Sequence, residues 1–135
     1  MQIIIDTNVL MSALFFDGLP LKLVRLIFGE SCKAVVSPDI VLEYNETFQK
    51  MLLKLPNPIY HFSLELFIKQ TKQIKPVSDI HICRDPDDDK FLASAVDSHC
   101  NYIVSGDTDL LVLKEFQGIP IITTRQFLDI LSSLP

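Results

Sequence analysis

The chain has no apolar stretch approaching the roughly 18 residues that a membrane-spanning helix requires. Asp6 and Asn8 interrupt the first apolar run and charges interrupt each later one, so no membrane partner is expected. The opening MQIIIDTNVL lacks the basic region and small-residue cleavage site of a secretory leader, which predicts a cytoplasmic protein. Cysteine is scarce. Cys32, Cys83 and Cys100 are odd in number, widely separated and without a CxxC pair, which argues against a disulfide framework and a structural zinc site and predicts buried thiols. A Gly-rich phosphate loop and a GxSxG turn are both missing, leaving nucleotide-dependent and serine-nucleophile chemistries without support. Positive charge is short as well: 12 Lys and Arg stand against 17 Asp and Glu, for a net charge of −5. That balance counts against the basic footprint usual in nucleic-acid binders.

What is present reads as one globular domain spanning residues 1–135, with 48% hydrophobic and 21% charged residues and no internal repeat. The placement of the negative charge is more telling than its sum. Five of the seventeen acids, Asp79, Asp85, Asp87, Asp88 and Asp89, crowd one short segment, and others stand singly at the ends of apolar runs. A bound cation would change that local balance.

Periodicity predicts strands at 2–5, 34–36, 102–105 and 119–123. Helices are expected over 19–28, stopped by Gly29, and from Ser37-Pro38-Asp39, which supplies a cap, a first-turn proline and a dipole-favoured acid. That second helix carries Ile40, Tyr44, Phe48, Met51 and Leu55 on one face and ends at Pro56-Asn57-Pro58. Further helices are predicted over 61–74, with Phe62, Leu66, Phe67 and Ile74 inward, after Asp85-Pro86-Asp87-Asp88, with Phe91, Leu92, Ala95 and Val96 inward, and over 125–131. A short turn is expected around Leu110, Leu111 and Leu113. Alternating strands and helices imply parallel pairing, hence a three-layer α/β/α sandwich with a mainly parallel central sheet.

In open sheets of this kind ligands bind beyond the carboxyl ends of the strands, where Asp6 and Asp107 both stand. Glu43, flanking the buried face of its helix, and Asp88, in a first helical turn, are plausible companions at the same edge. Carboxylates gathered without a counter-charge repel one another and hold protons, and a divalent cation relieves both effects. Oxygen-only ligands favour Mg²⁺ or Mn²⁺ over zinc, and His61, His81 and His99 show no ligand spacing relative to these acids. Such a cluster can activate water for in-line displacement at a phosphate.

Plainer readings exist for each acid. Asp6 can be a strand-terminal turn residue, Glu43 a solvated helix acid, and Asp107 and Asp109 turn residues after Gly106. A cap with a solvated face accounts for one or two of the acids in Asp85 to Asp89, not for four. An EF-hand fails, because Lys90 stands where its glycine belongs and Val96 where its closing glutamate belongs. A haloacid-dehalogenase-like phosphatase needs a second aspartate where this chain has Asn8.

Four motifs then stand in order: Asp6-Thr7-Asn8-Val9 after a strand, Ser37-Pro38 with Glu43-Tyr44, Asp85-Pro86-Asp87-Asp88 before Phe91-Leu92-Ala93-Ser94-Ala95, and Ser105-Gly106-Asp107-Thr108-Asp109-Leu110-Leu111. Together they resemble the PIN domain, and most resemble the PIN-family toxin components of toxin–antitoxin pairs. The resemblance implies a metal-dependent endoribonuclease whose catalytic and metal-holding acids are Asp6, Glu43, Asp88 and Asp107. Asn8, Ser105, Asp109 and Asp89 would support them by orienting ligands or water. Similar sequences often carry asparagine after the third acid, where this chain has Asp89; the distance to Ala95 favours Asp88 as that acid. Also implied are Mg²⁺ or Mn²⁺, an RNA substrate, a small antitoxin blocking the acidic site, and a homodimer. Lys50, Lys54, Lys69, Lys72 and Lys75 are candidate phosphate contacts or simply solvated faces. A non-cleaving RNA- or protein-binding module and a DNA- or structure-specific nuclease remain alternatives on the same fold.

Overall fold

A computed structural model describes residues 1–135. Its central strand, β1 (Gln2–Ile5), carries Ile3, Ile4 and Ile5, all essentially inaccessible to solvent. Successive side chains on a strand point to opposite faces, so three buried neighbours mean that both faces are covered. Parallel partners flank it: β2 (Lys33–Val36) on one side and β4 (Tyr102–Val104) on the other, with Ile5 opposite Val104. β3 (Lys72–Gln73) extends the sheet beyond β2, and β6 (Ile119–Ile122) extends it beyond β4, both in parallel. β5 (Glu115–Phe116) adds an antiparallel edge, giving the order β3-β2-β1-β4-β6-β5.

Seven helices complete the sandwich: α1 (Thr7–Phe15), α2 (Leu19–Phe28), α3 (Pro38–Lys54), α4 (Leu64–Gln70), α5 (Asp89–Asp97), α6 (Thr108–Leu111) and α7 (Thr124–Ser132). α5 packs on β1, β2 and β4, while α1 packs against α2 and α3. The three-layer, mostly parallel α/β architecture expected from the sequence is the one observed. No helix is long and apolar enough to cross a membrane.

Several local expectations need correction. α1 is an additional helix; its Val9, Leu10, Met11, Ala13, Leu14 and Phe15 are all buried, so it offers no one-sided stripe to read. The helix predicted over 61–74 is shorter: Ser63 caps α4 through the Leu66 amide, and after Thr71 the chain becomes β3. Leu66 consequently faces solvent, and Leu64 takes the inward place beside Phe67. Val96 is half-buried rather than inward, and Leu113 lies past the end of α6. Cys32 and Cys100 are buried thiols, whereas Cys83 is only partly covered.

Two connections fix the site. The side chain of Ser37 accepts the Ile40 amide at 3.2 Å, setting where α3 begins. Two turns on, fully buried Tyr44 donates its hydroxyl to the Ile5 carbonyl at 2.5 Å, tying α3 to the end of β1. Such a bond stabilises by about 1 kcal/mol and fixes the position of Glu43, the preceding residue.

Candidate active site

Asp6 follows β1 and caps α1, its Oδ1 accepting the Val9 amide at 2.9 Å. Its other oxygen accepts the Ser105 hydroxyl, which in turn accepts the Asp107 amide at 2.9 Å. Ser105 follows β4, the strand beside β1, so one hydroxyl joins two strand ends and two of the expected acids. Burial of Asp6 raises its pKa; the bonds from Ser105, Val9 and Gly106 oppose that rise, and the nearby charge of Asp107 adds to it.

Glu43 reaches the same place from α3. Thr7 donates its hydroxyl to Oε2, and the Lys90 ammonium lies 2.6 Å from Oε1. Between these acids, Tyr44 has a phenol pKa raised well above its usual value by burial and by the charges of Asp6 and Glu43.

The crowded acids divide by role. Asp85 Oδ1 accepts the Asp87 amide at 3.0 Å, and Pro86 starts a single 3-10 turn, Pro86–Asp88, that delivers Asp88 into the interior. Asp88 is 9% exposed and its Oδ2 has no hydrogen-bond partner. Burial, and then the charges of Asp107, Asp85, Glu43 and Asp109, push its pKa up to about 7. Asp89 turns the other way: its Oδ1 accepts the Ile82 and Cys83 amides at 3.1 and 2.9 Å, anchoring the loop before the turn. Burial opposes the Asp89 charge, but those amides outweigh it and lower its pKa. Acids, burial and the contact with Asp89 push the neighbouring Cys83 thiol up to about 12, with burial the leading cause.

Asp107 caps α6, its Oδ1 accepting the Asp109 amide at 2.9 Å. One carboxylate oxygen from each of Asp88, Asp107 and Asp109 lies within 4.8 Å of the others. Arg84 Nη2 stands 2.8 Å from Asp109 Oδ1 at the exposed margin.

A wholly polar cleft of about 190 Å³ is lined by Asp6, Thr7, Asn8, Glu43, Thr47, Asp85, Asp87, Asp88 and Asp107. All four acids expected from the sequence therefore open onto one cavity, with exposed Asn8 on its wall and buried Ser105 behind Asp6. Asp109 joins through its proximity to Asp88 and Asp107, while Asp89 serves the loop. The roles of Thr7, Arg84 and Lys90 were not legible beforehand, since each depends on a partner remote in sequence. The five lysines considered as phosphate contacts are exposed, and Lys69 pairs with Glu65 at 3.4 Å.

Chemically, the arrangement suits a divalent cation. A buried carboxylate oxygen with no proton donor is costly unless something positive meets it. Three oxygen ligands in mutual reach supply hard donors for such an ion.

Carboxylates gathered beyond the strand ends of a parallel sheet, with one oxygen left for a cation, suit an α/β domain that does metal-assisted chemistry at a phosphate. The model of the PIN domain family matches residues 2–109, and the chain belongs to that family. PIN domains are generally nucleases and typically depend on divalent metal. The chain is 34% identical over 120 residues to an uncharacterized protein of Methanocaldococcus jannaschii, the match covering 84% of this chain and 76% of the relative. No solved structure gives a significant match.

Proposed function

We propose that residues 1–135 act as a single domain that hydrolyses RNA endonucleolytically with Mg²⁺ or Mn²⁺, using Asp6, Glu43, Asp88 and Asp107. The observation that carries this reading is the unpartnered, buried Asp88 oxygen, within ligand reach of Asp107 and Asp109 and in the cleft shared with Asp6 and Glu43. Asp88 and Asp107 hold the ion, with Asp109 beside them. A divalent cation bound there supplies Lewis-acid polarisation of the phosphate and of the attacking water. Asp6, held by Ser105 and the Val9 amide, orients its neighbours and accepts hydrogen bonds at a fixed place. Glu43 fixes the opposite wall of the cleft, and Asn8 offers an amide to a substrate phosphate or to water.

The biological role we propose is the toxin of a toxin–antitoxin pair, acting in the cytoplasm as a homodimer and blocked by a small cognate antitoxin. An adjoining hollow of about 340 Å³, lined by Asp39, Glu43, Glu46, Asp87 and Lys90, is complementary to a basic segment of such a partner. RNA rather than DNA follows from the resemblance to toxin ribonucleases.

The test is cleavage of single-stranded RNA and single-stranded DNA, side by side, with Mn²⁺, with Mg²⁺ and with EDTA, for the wild type and Asp6→Asn. RNA products that need metal and disappear in the variant support the proposal. DNA products alone would replace the substrate, and no products with either polymer would leave a binding module.

A further inference from the structure

Within that nuclease reading, the two sides of the cleft differ in what they leave free. On the Asp88 side an oxygen lacks any partner. On the Glu43 side both oxygens are engaged, Oε2 by the Thr7 hydroxyl and Oε1 by the Lys90 ammonium at 2.6 Å. This ion pair is no loose surface contact: the side chains of Lys90 and Glu43 are 19% and 26% exposed. Lys90 issues from the first turn of α5, two positions after Asp88, and its ammonium lies 5.7 Å from the centre of the Phe91 ring, a further cation-favouring contact.

We infer that Lys90 is a built-in cation that neutralises Glu43 from the adjoining hollow, so that the site takes one divalent ion rather than two. An ion ligated by Glu43 would stand beside the ammonium, and like charges at that range repel. It would also have to displace two donors already in place. Lys90 thus does for Glu43 what a bound metal would do for Asp88, relieving carboxylate repulsion. Its role is positioning: it acts through Glu43 and through the charge it keeps beside the cleft.

Calorimetric titration of the metal-free protein with Mn²⁺ counts the ions. One Mn²⁺ per chain is expected for the wild type and for Lys90→Arg, which keeps the charge. Two are expected for Lys90→Gln, and one again for Lys90→Gln combined with Glu43→Gln. Two ions in the wild type, or one in folded Lys90→Gln, overturns the inference while leaving the nuclease reading standing. No ion in the wild type overturns both. Should Lys90→Gln not fold, Lys90→Met, which keeps the apolar stem without the charge, takes its place with the same expected count of two.

Discussion

Replacing Asp88 by asparagine should make the metal-free protein more stable above neutral pH, the reverse of what removing a buried polar contact usually does. Asp88 is buried, surrounded by Asp85, Glu43, Asp107 and Asp109, and its pKa is pushed up from 3.8 to about 7. A folded-state pKa above the unfolded value means that the native chain binds more protons between those two values, so this group's contribution falls as pH rises from about 4 to 7. At ~1.4 kcal/mol per factor of ten in proton affinity, the rise from 3.8 to about 7 sets an upper bound of about 4 kcal/mol. Water at the mouth of the cleft screens the charges, and about 1–2 kcal/mol is the part expected to be measurable. Asparagine keeps the shape without the charge. In EDTA at pH 8, Asp88→Asn should therefore melt roughly 3–8 °C above the wild type. The gap should narrow towards pH 4, where the folded wild-type carboxyl is protonated and the unfolded one is close to half protonated. Mn²⁺ should invert the order, because an ion at 100 times its Kd adds about 2.7 kcal/mol to the wild type and much less to the variant. Thermal melts at pH 4, 6 and 8, with EDTA and with Mn²⁺, suffice. A variant less stable than the wild type at pH 8 in EDTA, or stabilised equally by Mn²⁺, would refute the reasoning.

Two other substitutions probe the scaffold. Tyr44→Phe removes the bond to the Ile5 carbonyl and should cost about 1–2 kcal/mol in denaturant unfolding; an unchanged midpoint would mean that α3 is registered by packing alone. Asp97 accepts the Val77 and Ser78 amides at 2.6 and 2.9 Å and the Ser78 hydroxyl, and these bonds, the hydroxyl first, lower its pKa. A depressed folded pKa contributes stability above the unfolded value that is lost as pH falls through the folded one. Asp97→Asn should accordingly speed hydrogen exchange at amides 77 and 78 at pH 7 and matter little once pH falls below the depressed folded-state value; equal exchange at pH 7 would show that other contacts hold the loop.

Much of the architecture was legible because local and global signals agreed. The β-branched run Gln2 to Ile5 reads as a fully buried strand and is one, and Ser37-Pro38 opens a helix where a cap and a first-turn proline say it should. α1 escaped because a helix buried nearly all round has no polar face to betray its period. β5 escaped because its hairpin turns through Gln117 and Gly118, both at positive φ, and glutamine is a weak signal for such a turn. At the cleft, strand ends and caps pointed to Asp6, Asp88 and Asp107, since a residue just past a buried strand or opening a helix has few places to go. The choice between Asp88 and Asp89 rested on spacing; their side chains diverge because one ends the 3-10 turn facing inward while the other accepts loop amides. The pairing of Lys90 with Glu43 had no signature at all, because it joins two helices through a packing angle that no local pattern encodes.

Metal-dependent cleavage by clustered carboxylates is tested most directly by single-turnover cleavage of a single-stranded RNA by wild type and Asp107→Asn, with Mn²⁺ and with EDTA. Loss of one metal-holding carboxylate removes several kcal/mol of charge stabilisation, so the variant should fall by at least ~100-fold, and EDTA should abolish wild-type cleavage. Cleavage that survives both EDTA and Asp107→Asn would contradict it.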